Sequence, residues 1–174
     1  QMFFLGLLGE YIGAIQTPAL IRHVKRHAKD DAIVILDAPP GTSCPVIEAV
    51  KGVDFVLLVT EPTPFGLNDL ELAVGMIRAL GLPFAVIINR CDMGDNAVAQ
   101  YCRREGIDVA MEIPNQRKIA EAYSRGRMMV EVAPEYAGQF HGLYHRICGR
   151  PVVRRSRGLC HGDREVSERG GDDL

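Results

Sequence analysis

Three short runs, almost wholly apolar and rich in β-branched residues, limit what this chain can fold into. They are Ala32-Ile33-Val34-Ile35-Leu36, Phe55-Val56-Leu57-Leu58-Val59 and Phe84-Ala85-Val86-Ile87-Ile88. A strand that is apolar on both faces has to be covered on both faces, which happens where helices flank a parallel sheet. A shorter run, Ile107 to Ile113, reads as a fourth strand. Helical patterns lie between the runs. Thr17-Pro18 reads as N-cap and first helical residue, ahead of Leu20, Ile21, Val24 and Ala28 on one face. Asn68 with Glu71 approaches a capping box, Leu67 and Leu72 take the staple positions, and Gly81 with Pro83 ends that helix. Further helices are expected over 95–105, 115–125 and 134–147, the first two stopped by Gly106 and Gly126. This alternation predicts an α/β fold, doubly wound on a mostly parallel sheet.

Composition narrows the function classes. The chain has 174 residues, 47% hydrophobic and 24% charged, which is the composition of one globular domain rather than a disordered or fibrous chain. A net charge of −2, no Trp and 6% aromatics argue against a nucleic-acid partner. No run reaches the roughly 18 apolar residues of a transmembrane segment. The apolar stretch Met2 to Leu8 lacks the basic flank of a signal peptide. Five cysteines, at 44, 91, 102, 148 and 160, form no CxxC pair, which fits reduced thiols in a cytoplasmic protein and encodes neither a zinc site nor a ferredoxin cluster. Residues 1–148 carry the domain pattern. Residues 149–174 hold six Arg, five acidic residues and five Gly with few apolar positions, and read as a disordered C-terminal tail. Its cluster Arg154-Arg155-Ser156-Arg157 is read as a solvated charge run.

Open α/β sheets bind ligands at the carboxyl ends of their strands, and three such ends carry chemistry here. After the first run comes Asp37-Ala38-Pro39-Pro40-Gly41-Thr42-Ser43-Cys44-Pro45. An Asp ending a buried strand suits a Walker B role, holding Mg²⁺ directly or through water beside a triphosphate. Pro39 and Pro40 stiffen the turn, and Gly41 leaves its N–H free to approach a γ-phosphate. The competing reading is an ordinary turn capped by Thr42 or Ser43. After the third run comes Asn89-Arg90-Cys91-Asp92. An Asn amide can pair with the N6/N7 edge of adenine, and an Arg plane can stack on the base. Asp92 leaves a second option open, because N-[KR]-x-D is also a guanine-reading string, and a polar loop with Asp95 as helix cap is a third. The last strand ends in Ile113-Pro114-Asn115, where a Pro-fixed turn can border a base and Asn115 can equally cap a helix. Thr60 to Gly66 ends the second run and can line the same cleft. The pairs His23/His27 and His141/His145 have metal-pair spacing but no evident third ligand, and are read as solvated. Ser43 lies in no G-x-S-x-G string.

Together these strings resemble the MinD/ParA/Mrp class of P-loop ATPases, and in particular the branch with an inserted [4Fe-4S] ferredoxin domain. The matching stretches are 35–45, 60–70, 87–90, 113–114 and 119–126, in family order over roughly residues 9–147. The resemblance implies that Asp37 to Gly41 act as Walker B and switch II. It implies that Asn89 and Arg90 hold adenine, with Ile113 and Pro114 against the base. It also implies a cytosolic ATP-driven switch using ATP and Mg²⁺, a homodimer when ATP is bound, with an iron–sulfur or redox partner. One part of the pattern is missing. No G-x-x-x-x-G-K-[ST] string occurs, and none of the four lysines, Lys25, Lys29, Lys51 and Lys118, stands in one. The ferredoxin cysteines are missing too. The chain opens on Gln1 rather than Met, so the expectation is the C-terminal part of a P-loop NTPase, its fold incomplete. Any [4Fe-4S] cluster would then sit only on the missing upstream segment, and the piece alone would be inactive. The alternatives are a GTPase or metal-insertion NTPase of the same class, for which Asp92 is the discriminating residue, and a non-catalytic interaction module.

Overall fold

The strand formed by Phe84–Asn89 (β2) is the middle of a three-stranded parallel sheet, and its burial organises everything around it. The computed structural model describes residues 17–27 and 33–149. Val56–Thr60 (β1) pairs along one edge of β2 and Val109–Ile113 (β3) along the other. All three strands run the same way, so their carboxyl ends lie side by side. The register sets Thr60 opposite Ile88 and Asn89 opposite Ile113, with one irregularity between Val86 and Ile87.

The helices follow in order: Thr17–Arg26 (α1), Cys44–Val50 (α2), Pro64–Leu80 (α3), Ala97–Arg104 (α4), Arg117–Ser124 (α5), Met129–Val132 (α6) and Glu135–Cys148 (α7). Side chains of β2 alternate between two cores, as the period of two requires. Val86 and Ile88 pack with Leu70 and Val74 of α3 and with Val98, Tyr101 and Cys102 of α4. Ile87 points the other way, joining Met111 of β3, Met129 of α6 and Tyr136 and Leu143 of α7. A third cluster joins Val50 of α2, Val56 of β1 and Ile77 of α3. Helices on both faces of a parallel sheet are the architecture expected from the apolar runs.

Several details differ from the expectation. Residues 33–36 hold a single bridge, at Ile35, and no ladder among the described residues. An apolar run becomes a strand only where neighbours supply hydrogen bonds along its length. Asn68 and Glu71 do not cap α3, which starts four residues earlier. Thr63 is its N-cap and accepts the Gly66 N–H at 3.0 Å, with Pro64 in the first turn. Gly81 ends α3 as expected, at φ 64°. Asn115 caps nothing, because α5 begins after Gln116. The short α6 had no period of its own to reveal it. Val59 is 66% exposed although its run is apolar throughout, since the α6–α7 side reaches Leu57 but not Val59. Ala28 and residues 150–174, which make up all but the first residue of the expected tail, lie outside the described residues. Among the described residues no helix is long and apolar enough to cross a membrane.

Lys25 ties α1 to α2. Its ammonium donates to the carbonyls of Glu48 at 3.0 Å, Ala49 at 2.9 Å and Lys51 at 2.5 Å, carbonyls at the end of α2 that have no helical partner. Burial lowers its pKa, and the nearby Glu48 carboxylate opposes that shift. Ile77 is wholly buried where α2, α3 and β1 meet. Replacing it with Ala should cost about 2–5 kcal/mol, because the removed methylenes leave a cavity in a wedge between three elements. Urea denaturation followed by circular dichroism measures this, and a loss below about 1 kcal/mol would contradict the packing.

Candidate functional site

The loop after β1 is shaped by close backbone approaches. A Cβ on Gly66 would lie 2.2 Å from the Glu61 carbonyl oxygen, and one on Gly94 would lie 1.8 Å from that of Pro62. Only glycine fits at either place, and Gly94 also holds φ 82°. Thr60 Oγ1 donates to the Gly66 carbonyl at 2.9 Å, and the Thr63 N–H donates to the Glu61 carbonyl at 2.8 Å. Pro62 is buried. The loop therefore fixes where the Glu61 side chain starts.

Glu61 reaches across to the end of β2. Its Oε1 accepts from Asn89 Nδ2 at 3.4 Å and lies 3.5 Å from Arg90 Nε. Arg90 has φ 52°, the one non-glycine residue with positive φ among the described residues. Such a conformation costs a non-glycine residue free energy and tends to mark a site that needs it. The turn is held by the Met93 N–H donating to the Arg90 carbonyl at 2.9 Å and by the Cys91 N–H donating to the Ile113 carbonyl at 3.0 Å. Asp92 Oδ1 accepts the Asn115 N–H at 2.6 Å, which ties the β2 and β3 loops together. Asp95 Oδ1 accepts the Ala97 N–H at 2.9 Å, from one position before Asn96, which is the N-cap of α4 in place of the expected Asp95.

A cleft of about 300 Å³ opens beside this cluster, at the small end of ligand pockets. Asn89, Arg90, Ile113, Pro114 and Gln116 line it, and Tyr123, Met129 and Phe140 continue its wall. The last three also line an adjoining apolar hollow of about 380 Å³. Gln116 donates from Nε2 to the Tyr136 hydroxyl at 3.1 Å, while its Oε1 is buried with no hydrogen-bond partner among the described residues. An unpartnered acceptor in a cleft wall favours a donor from outside.

Four of the expected base-site residues, Asn89, Arg90, Ile113 and Pro114, thus share one cleft. Asp92 sits behind it rather than in its lining. Asp37, Pro39, Pro40 and Gly41 form an exposed loop that does not line the cleft. Gly41 adopts φ 91°, a conformation that suits glycine, with open space where a Cβ would stand. Glu61 had no role of its own in the sequence reading, although its string was noted. Its signal was position, a carboxylate just beyond the strand that neighbours Asn89.

No protein-family model matches the chain. An uncharacterised protein of Methanocaldococcus jannaschii is 29% identical over 122 residues, covering 69% of this chain and 42% of that protein. An iron–sulfur cluster carrier protein of Pyrococcus abyssi is 28% identical over 132 residues, covering 66% of this chain and 44% of that protein. The structure of the Aquifex aeolicus MinD cell division protein matches with a TM-score of 0.58 at 19% identity, over 79% of this chain and 61% of that one. The chain is thus similar in sequence to an iron–sulfur cluster carrier protein and similar in fold to a MinD protein. It spans less than half the length of the two sequence relatives just named. The MinD-like fold accounts for the parallel sheet with helices on each face.

Among the described residues no three His, Cys, Asp or Glu side chains converge as a metal site. Cys44 and Cys148 are exposed, Cys91 is half-buried and Cys102 is buried. Burial pushes the Cys91 thiol up, and the Glu112 and Asp92 carboxylates add to it against a lowering backbone hydrogen bond. Burial alone pushes Cys102 up. Both hold less thiolate than an ordinary cysteine at pH 8, so iodoacetamide should label Cys44 well before Cys91 and Cys102. Peptide mass spectrometry over a time course reads the order, and early labelling of Cys102 would contradict its burial. Gly94→Ala should lose about 2 kcal/mol or more of stability, because both the left-handed backbone and the Pro62 contact oppose a Cβ. Thermal melting checks it, and an unchanged Tm would mean the loop is looser than described.

Proposed function

We propose that this chain forms the nucleobase-holding and switch part of a cytosolic ATP-hydrolysing protein that serves iron–sulfur or redox chemistry. The observation that carries the reading is the convergence of Asn89, Arg90, Ile113 and Pro114 on one cleft at the carboxyl ends of β2 and β3. That is where an open α/β sheet takes its ligand. Asn89 offers an acceptor and a donor on one amide, the pattern complementary to the adenine edge. Arg90 supplies a plane for stacking, and Ile113 with Pro114 supplies an apolar border. The iron–sulfur side of the proposal is supported by the Pyrococcus abyssi relative's name. It does not rest on this chain's own cysteines.

Asp37, exposed at the end of the segment 33–36, is the residue that would hold Mg²⁺. Such a bound ion offsets the negative charge that develops as a phosphoryl group is transferred. In the Pro39-Pro40-Gly41 turn, Gly41 holds φ 91°, and its N–H is the group that would meet a γ-phosphate in a loop of this kind. No phosphate loop occurs in these 174 residues, so this chain by itself is expected to bind ATP weakly and not to hydrolyse it. A homodimer in the ATP-bound state belongs to the same proposal.

A guanine-reading GTPase finds less support, because Asp92 uses one carboxylate oxygen on the Asn115 N–H. The third reading is an interaction module that ignores nucleotides. DNA sequencing upstream of the Gln1 codon tests the proposal, with an in-frame Gly-rich loop ending in Lys-Thr as the expected outcome. A stop codon followed by a start signal there would leave the interaction module as the better reading. In a protein form that carries such a loop, Asp37→Ala should lower the ATP-hydrolysis kcat about 100-fold or more. Retained activity would remove Asp37 from the mechanism.

A further inference from the structure

The Glu61 carboxylate stands against the Asn89 amide of this cleft, and an amide can be read either way round. Asn89 can present its oxygen as an acceptor or its NH₂ as a donor, depending on how the group is turned. Only one orientation suits a carboxylate neighbour. With Nδ2 toward Glu61, as found at 3.4 Å, a proton meets a negative oxygen. With Oδ1 toward Glu61, two acceptors would face each other. Arg90 Nε lies 3.5 Å from the same carboxylate oxygen, an exposed pair that adds little. The Glu61 backbone is itself held by the Gly66 and Gly94 approaches.

We propose that Glu61 is a positioning residue that sets nucleobase selectivity by fixing the orientation of the Asn89 amide. Resting on the nucleotide reading above, this adds the determinant of which base is taken. With one Nδ2 proton on Glu61, Asn89 turns Oδ1 into the cleft and keeps a second Nδ2 proton beside it. That pair accepts from an exocyclic amino group and donates to the neighbouring ring nitrogen, the edge of adenine. A 6-oxo purine offers two acceptors on the same edge. It would set its carbonyl against Oδ1, and the amide could not turn to meet it without facing Glu61 with its oxygen.

The probes are adenosine and inosine, which differ at the 6-amino against 6-oxo position. Titrated into the 174-residue chain, they are followed by NMR at the Asn89 side-chain amide and the Ile113 methyl groups. The same ratio is read as kcat/KM for ATP over ITP in a form carrying a phosphate loop. The wild-type protein should favour adenosine over inosine about tenfold or more. Glu61→Gln replaces a pure acceptor with a group that meets either face of an amide, so the preference should fall below about threefold. Arg90→Gln should weaken both nucleosides together and leave the ratio standing. If both nucleosides bind in the cleft and Glu61→Gln leaves the preference intact, Glu61 does not set selectivity, although the nucleotide reading survives. If neither nucleoside moves the Asn89 and Ile113 signals, the nucleotide reading falls and this inference falls with it.

Discussion

Parallel pairing of three strands is the constraint on which the rest depends. Parallel ladders leave both sheet faces to be covered, and each crossover must pass over a face before the next strand begins. The crossovers therefore become α3 and α4 on one side, while the helices after β3 cover the other. The same constraint brings all strand carboxyl ends to one edge. Asn89 ends up opposite Ile113, and Thr60 opposite the residue before Asn89, because the register of β1, β2 and β3 leaves them there. The cleft follows from the sheet.

Around that edge the chain spends polar interactions where a core would use apolar ones. Glu61 engages Asn89 and Arg90, and Asp92 engages the backbone of Asn115. Each contact joins the loop of one strand to the loop of the next. Exposed ion pairs contribute little to stability, so these are better understood as geometry than as strength. The firm part is beneath them, where Gly66 in the first turn of α3 and Gly94 in the loop after β2 approach the Glu61-Pro62 backbone more closely than any side chain would allow. Rigid loops under a set of adaptable side chains suit a site that must present a base edge in one orientation.

Much of this was legible in the residues. The runs 55–59 and 84–88 became β1 and β2 within a residue, because apolar β-branched runs leave few alternatives to a covered strand. Gly81 ended α3 where a left-handed residue was needed. Asn89, Arg90, Ile113 and Pro114 could be singled out because polar or Pro-fixed positions at strand ends contrast with the apolar runs before them. Other features were hidden for physical reasons. The start of α3 was misplaced because Thr63-Pro64 and Asn68 both carry start signals, and the Gly66 contact with Thr63 decides between them. The run 32–36 has the composition of a strand but no ladder among the described residues, since hydrogen-bond partners are not written in a strand's own sequence. Glu61 was hidden because its partners lie 28 and 29 positions away and meet it only through the register of β1 on β2.

The amino-acid sequence by itself determined the class of fold and the chemistry available at three strand ends, because the period of apolar residues and the type of each polar residue are local properties. It also determined that no phosphate-loop string lies within these residues. Tertiary structure decided which strand ends share a cleft and that Asp92 works as a loop tie rather than a lining residue. It also decided that one carboxylate governs how Asn89 faces. Those are relations between segments far apart in the chain, and they come into being only when the strands align and their loops close on one another.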